Sequence, residues 1–356
     1  MYLKHIVAGA VAGALLMLLV GSGLAAAQAA RTADGKPDLS GVYNTATLTP
    51  LERPEFFGDK LYLTPQEATA MEKQAKAFLS ANDGQSDPNR EAPPSGGDGS
   101  AGAAGNVGGY NSFWIDNGDS VFEIDGKIRT SIISQPENGR LPALTPLGMK
   151  NRSFIATLMR TNSGTAWWLD QEGPGPYDNP EARPLGERCL LGFGSVSGPP
   201  MLPVLYNNFK RIVQTPTHVM ILVEMNHDAR IIRLSSEHQP DNVRSWMGDS
   251  IGWWEGDTLV VDTTNFKERS GLYLYGATEQ LHVVERFERM DDKTLRYSFT
   301  VDDPGAWEAP WSGSYPWPAS DDQVFEYACH EGNYALGNIM RGARILEADI
   351  EQGGGR

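Results

Sequence analysis

Between Tyr206 and Cys329 apolar and polar residues alternate in short runs: "RIVQT", "HVMILVEM", "ARIIRLS", "SIGWWEGDTLVVDTTNF", "LHVVERFERM", "TLRYSFTV", "EAPWSGSYPW" and "VFEYAC". A period of two places alternate side chains on opposite faces of a strand. Turn signals such as Glu-Gly-Asp and Met-Asp-Asp-Lys separate neighbouring runs. Roughly eight short strands joined by tight turns predict a mainly β fold, an antiparallel up-and-down barrel or sandwich of calycin (lipocalin-like) shape in the C-terminal half.

Upstream the pattern changes. "GKPDLSGVYNT" leads into a strand at Gly41 to Thr45. "LTPQEATAMEKQAKAFL" has the helical period in Ala68, Met71, Ala75 and Phe78. Thr64 is its N-cap, Pro65 the first helical residue and Glu67 the partner in a capping box. Residues 82–109 are Gly, Pro, Ser and Asp with almost nothing to bury, a flexible loop. "NSFWI", "SVFEI" and "IRTSIIS" read as strands, the last two separated by an Asp-Gly hairpin turn. Residues 136–203 are rich in Pro and Gly, with a helix expected around Pro146 to Leu158, and "NYALGNIMRGARIL" predicts a short closing helix.

The expected organisation is therefore residues 1–27 as signal peptide, 28–81 as an N-terminal strand and helix, and 82–109 as the loop. A hairpin block and Pro/Gly-rich connection (110–203), the barrel domain (204–345) and a disordered tail (346–356) follow. The signal assignment rests on Lys4, the apolar run from Ile6 to Val20, and the small residues before Gln28. It predicts a periplasmic or secreted protein with no membrane span after cleavage.

Charge and cysteine usage narrow the picture. A net charge of −15 leaves no basic face to displace phosphate counterions, so nucleic acid is not an expected partner. The acidity also weakly disfavours polyanionic substrates, unless a local basic pocket overrides it. Cys189 and Cys329 are the only two cysteines. In an exported protein an isolated pair is expected as a disulfide. A nucleophilic thiol and a metal ligand are the competing readings of Cys329.

Four clusters carry candidate chemistry. In "EMNHDARII" a continuous strand would put Glu224, Asn226, Asp228 and Arg230 on one face, with Asp228 and Arg230 as an ion pair and His227 reachable through a bulge. In "ACHEGN" the disulfide would anchor His330 and Glu331 as general acid and base. The tryptophans of "GWWEGD" and "WEAPWSGSYPW", with Trp254, Trp307 and Trp311 foremost, suggest a stacking surface. Tyr206 and Asn207 of "LYNNFKR" offer neutral hydrogen bonds or make a turn. Convergence of His227, His282 and His330 would give a metal site, but no H-x-H or H-E-x-x-H spacing supports one, so no metal is expected. No phosphate-binding loop, dinucleotide fingerprint or nucleophile elbow occurs, and no organic cofactor is expected.

The segments "PDLSGVY", "GERCLLGFG", "YNNFKRIVQTPTHVMILVEMNHDARII", "WMGDSIGWWEGDTLVVDTTNF", "LHVVERFERMDDKTLRYSFTVDDP" and "FEYACHEGNYALGNIMRGAR" resemble an uncharacterised family of secreted proteins, abundant as paralogues in Acidobacteria and some Proteobacteria. The resemblance spans residues 38–344 and implies export and a mainly β structure, without an activity to carry over. From the residues, the leading expectation is a cofactor-independent acid–base enzyme, a lyase or hydrolase acting on a neutral carbohydrate-like or phenolic small molecule. His227 or His330 would be base, Asp228 or Glu331 would orient it, and Arg230 would steady negative charge. The alternative is a non-catalytic, lipocalin-like protein that binds a small apolar or glycosidic ligand.

Overall fold

The alternation in the sequence becomes a ten-stranded sheet. The structure is a computed structural model and describes residues 30–82, 89, 115–158, 164–173 and 175–353. The signal-peptide segment, nearly all of the Gly/Pro-rich loop and most of "NSFWI" lie outside the described residues. The chain divides into two units, Met1–Asp38 and Leu39–Arg356. The described part of the first is a turn bridged at Arg31 and Pro37, with Thr32 N donating to the Lys36 carbonyl at 2.9 Å. The second carries every element below.

In chain order these are β1 (Gly41–Asn44), β2 (Tyr62–Leu63), α1 (Pro65–Asn82), β3 (Glu123–Ile124), β4 (Lys127–Arg129), β5 (Ile133–Gln135) and α2 (Pro146–Leu158). There follow β6 (Phe209–Gln214), β7 (His218–Val223), β8 (Ala229–Leu234), β9 (Asp249–Glu255) and β10 (Thr258–Thr264). The last are β11 (His282–Arg289), β12 (Thr294–Asp302), β13 (Trp311–Pro318) and α3 (Tyr334–Glu351). The capping box forms as read: Thr64 N donates to Glu67 Oε2 at 2.8 Å, and Glu67 N to Thr64 Oγ1 at 3.3 Å. Asp125 and Gly126, at φ of 52° and 72°, turn β3 into β4.

The large sheet has the order β1-β6-β7-β8-β9-β10-β11-β12-β13-β5 and curls into a half-barrel. The edge strand β1 meets the residues that follow β13 at one corner, where Tyr43 bridges Ala319 and Ser320 N donates to the Val42 carbonyl at 2.9 Å. The second sheet, β2-β4-β3, is small. The fold is mainly β, as the alternation implies.

Four details depart from the sequence reading. The large sheet also takes in β1 and β5, so it is not confined to residues 204–345. The β8–β9 pair is parallel, because residues 235–248 carry the chain back across the sheet rather than turning tightly. "VFEYAC" forms no strand, since its segment packs beside the sheet without a ladder. Finally, α3 runs through Glu351, past the point where a disordered tail was expected.

Inside the curl, period-two positions meet. Trp311, Tyr315 and Trp317 of β13 face Tyr297 of β12 and Phe287 of β11, all at most 1 % exposed. Tyr297 and Trp317 have ring centroids 4.7 Å apart, and Phe287 and Trp317 meet edge to face at 5.5 Å. The interior of the sheet is a packed aromatic core.

Candidate functional site

The residues nearest a ligand-sized space lie outside the sheet, on loops held to it. Proline and glycine keep "RPLGERCLLGFG" out of regular structure, and two ties to other segments and one internal ion pair fix it. Cys189, at φ 54°, is disulfide-bonded to Cys329, with Cα atoms 5.7 Å apart. Asp228 accepts from Gly192 N at 2.9 Å and from Ser197 Oγ. Arg183, buried, donates from Nε and Nη2 to both carboxylate oxygens of Glu187 at 2.8 and 2.9 Å. Closing 140 positions, the disulfide contributes about 5 kcal/mol in the chain-entropy account.

This loop forms one wall of a cleft of about 670 Å³. The other walls are α2 and the segment Lys267–Leu274. The apolar lining includes Phe154, Ile155, Leu158, Leu191, Phe193 and Tyr273. Two cations lie on aromatic faces at its edge: Lys267 Nζ sits 4.9 Å from the Trp246 centroid, and the Arg269 guanidinium 4.8 Å from that of Phe154. Burial pushes the Tyr273 hydroxyl above the usual phenol range, despite the nearby Arg269 charge, so it stays a hydrogen-bond donor at neutral pH. The size falls within the usual range of small-molecule sites, and the mostly apolar wall with a few polar groups matches their usual make-up.

The residues singled out from sequence do not meet in this cleft. β7 ends at Val223, and Met225–His227 make a tight turn with Asn226 and His227 at φ 61° and 46°. The polar residues of "EMNHDARII" therefore share no strand face. His227 is exposed on the turn. Asp228 bonds to the Gly-rich loop rather than to Arg230, and its burial raises its carboxyl above the ordinary range. Arg230 is 2 % exposed and paired with Glu285 inside the sheet. His330 and Glu331 are exposed beside the disulfide, in the turn before α3. That turn is held by Asn333, whose Nδ2 donates to the Glu187 carbonyl at 2.8 Å.

The aromatic candidates are core. Trp307 and Trp311 are 2 % and 1 % exposed, and Trp254 is partly buried against the same cluster. Trp311, Gly313, Tyr315 and Trp317 occupy alternate positions of one strand, so all point inward. Tyr206 is likewise partly buried on the core, and Asn207, at φ 54°, makes the turn. Asn208, fully buried, completes that turn by accepting from Val204 N and donating to the Val204 and Asp116 carbonyls, each at 2.8 Å.

His282 joins neither His227 nor His330. Its Nε2 lies 2.8 Å from Asp262 Oδ2, while Oδ1 of the same carboxylate is 2.8 Å from His238 Nε2. His238 Nδ1 in turn lies 2.9 Å from Asp249, which Arg233 grips with both terminal nitrogens. Burial raises the Asp249 carboxyl, but the bonds from Arg233, Gln239 N and His238 outweigh it and hold it at about 2. This chain runs over the outer face of β8 to β11, and among the described residues no trio of His, Cys, Asp or Glu is arranged to hold a metal ion.

Sequence reasoning missed Glu285, His238 and the cleft. Glu285 left a signal: it stands between inward-facing Val283 and Phe287 of one strand. His238 lies in an irregular crossover, where no periodicity points to a partner. No protein-family model matches the chain, and neither does any curated protein or solved structure.

Proposed function

We propose that this chain is an exported binding protein for a small, flat, largely apolar molecule with a polar edge, phenolic in class, held in the cleft between α2, the Gly-rich loop and Lys267–Leu274. The single observation that carries the reading is the cleft itself: about 670 Å³, walled by Phe154, Leu158, Phe193 and Tyr273, with Lys267 and Arg269 at its edge. Flat rings suit such walls, and a hydroxyl or carboxylate suits the cations and the protonated Tyr273 hydroxyl. Export is supported by the Cys189–Cys329 disulfide, which persists in an oxidising compartment.

Binding is favoured over acid–base catalysis because His227, His330 and Glu331 are solvent-facing and Arg230 is committed to Glu285. Catalysis on a carbohydrate-like or phenolic molecule is the second reading. It rests on one observation: Glu268, Arg269 and Tyr273 line the same cleft.

Titrating the protein with 4-hydroxybenzoate and p-coumarate while following tryptophan fluorescence tests the proposal. The expected result is saturable quenching that disappears in Trp246→Phe and weakens roughly tenfold in Phe193→Ser. Quenching that persists unchanged in Trp246→Phe, or never saturates, overturns it. Turnover of the bound phenol, lost in Glu268→Gln, would move the conclusion to the enzyme reading.

A further inference from the structure

A second cleft, of about 510 Å³, opens between the small sheet and the β12–β13 end of the large one. Four cations line it (Arg53, Lys127, Arg129 and Arg296) against two carboxylates, Asp125 and Glu137. In a chain of net charge −15 that local excess runs against the composition.

The partners of these cations make the excess physical. Arg53 is 4 % exposed, yet its Nε donates to Thr130 Oγ1 at 3.1 Å and its Nη2 to the main-chain carbonyl of Glu137 at 2.9 Å. Arg129 donates to Ser314 Oγ at 3.0 Å and to the Ile132 carbonyl at 3.0 Å. Among the described residues neither guanidinium forms an ion pair. Only Arg296 does, with Asp125 and Glu288, and its Nε is buried without a hydrogen-bond partner. Lys127 Nζ lies over the Tyr62 ring, 4.8 Å from the centroid.

A guanidinium cannot shed its proton, so a buried one without a counter-ion keeps its full charge and its desolvation cost. For the partly buried Arg129, desolvation lowers the pKa; the neighbouring Tyr62 works against that and the Arg53 charge works with it. Neutral acceptors offset only part of that cost. An oxyanion would offset the rest, and the planar forks of arginine match carboxylate, sulfate and phosphate groups alike. The space exceeds what a bare ion fills, and hydroxyls of Ser298 and Ser314 lie along the same wall.

We propose that this cleft binds the oxyanion group of a small, hydroxyl-rich molecule, a sugar acid or sugar phosphate in class. The site is separate from the apolar cleft, and its assignment stands or falls without it. Calorimetric titration of the intact, disulfide-bonded protein with glucuronate, glucose 6-phosphate, inorganic phosphate and glucose tests it.

The expected result is that glucuronate or glucose 6-phosphate binds at least roughly tenfold tighter than glucose and inorganic phosphate. Whichever of the two binds tighter identifies the oxyanion. Affinity should fall about fivefold in Lys127→Met, an exposed position that leaves the fold alone, and more in Arg129→Gln. Equal binding of glucose, preference for inorganic phosphate, absence of binding, or undiminished affinity in Lys127→Met would each overturn the proposal.

Discussion

Arg230 and Glu285 meet inside the sheet, 2 % and 0 % exposed, with both prongs of the guanidinium on both carboxylate oxygens. Ser250 Oγ accepts from Arg230 Nε at 3.0 Å, and Thr263 Oγ1 from Nη2 at 2.8 Å. Tyr297 donates to Glu285 Oε1 at 2.7 Å, and accepts from Met201 N at 2.7 Å. Adjacent strands supply each partner, so the network ties β8, β9, β10, β11 and β12 together at one level.

Removing one partner should therefore cost more than removing both. Arg230→Met leaves Glu285 charged and buried, and is expected to lose about 3–5 kcal/mol of stability in urea denaturation. Arg230→Met combined with Glu285→Leu removes both charges and should recover most of that loss. A double variant no more stable than Arg230→Met would contradict the buried-pair account.

Lys210 presents the opposite situation. It is fully buried in β6, and its Nζ has no hydrogen-bond partner. Burial pushes the amine down to about 7, against the pull of Glu224. The unfolded chain binds this proton up to the ordinary lysine range near 10.4, whereas the folded chain gives it up near 7. Between those values the unfolded state holds more protons, so stability rises with pH. Below about 7 the penalty is fully present. Urea midpoints should climb from pH 7 to 9.5, and Lys210→Met should be more stable than the parent at pH 7 and converge with it as pH rises. A flat parent profile would rule this out.

These two buried groups mark the limit of what sequence alone conveys. Strand positions were legible because alternation survives in most core strands, such as β7, β11, β12 and β13, and the capping box and Asp-Gly turn were legible because each is a local device. Pairing across the sheet was not: two strands, β9 and β10, lie between those of Arg230 and Glu285, and nothing local to either residue names the other. The "EMNHDARII" segment misled for a related reason. An alternation count assumes continuous strand, while Asn226 and His227 sit at positive φ and break it. The tryptophans of β13 misled because Pro and Gly beside them suggested a rim, although their spacing of two already placed them on the core face. The Cys189–Cys329 link was legible from the cysteine count together with the expectation of export.

On the outer face, Asp262 raises the pKa of His282 by hydrogen bonding to it. A histidine raised in the folded state contributes stability that is complete below its unfolded value and fades as pH rises through the folded one. The contribution is small, because His282 is 41 % exposed and the pair is screened by salt. Asp262→Asn should shift the His282 titration, followed by NMR, down toward the ordinary histidine range, with little change in urea midpoint. An unmoved titration would show that Asp302, not Asp262, sets it.

The disulfide links stability to the apolar cleft. Cys189 belongs to the loop that walls the cleft, and Cys329 precedes the turn that Asn333 holds against Glu187. Replacing both cysteines by serine should lower stability by about 2–5 kcal/mol. It should also loosen Gly186–Gly194 ahead of the sheet, because the bonds of Gly192 and Phe193 to Asp228 and Met225 are then left to hold that loop beside β8. Hydrogen exchange would read this as protection lost first at Gly192 and Leu191 while β10 and β11 keep theirs. Uniform loss across loop and sheet would mean that the disulfide stabilises the whole unit evenly, and that the cleft wall is held by its own packing.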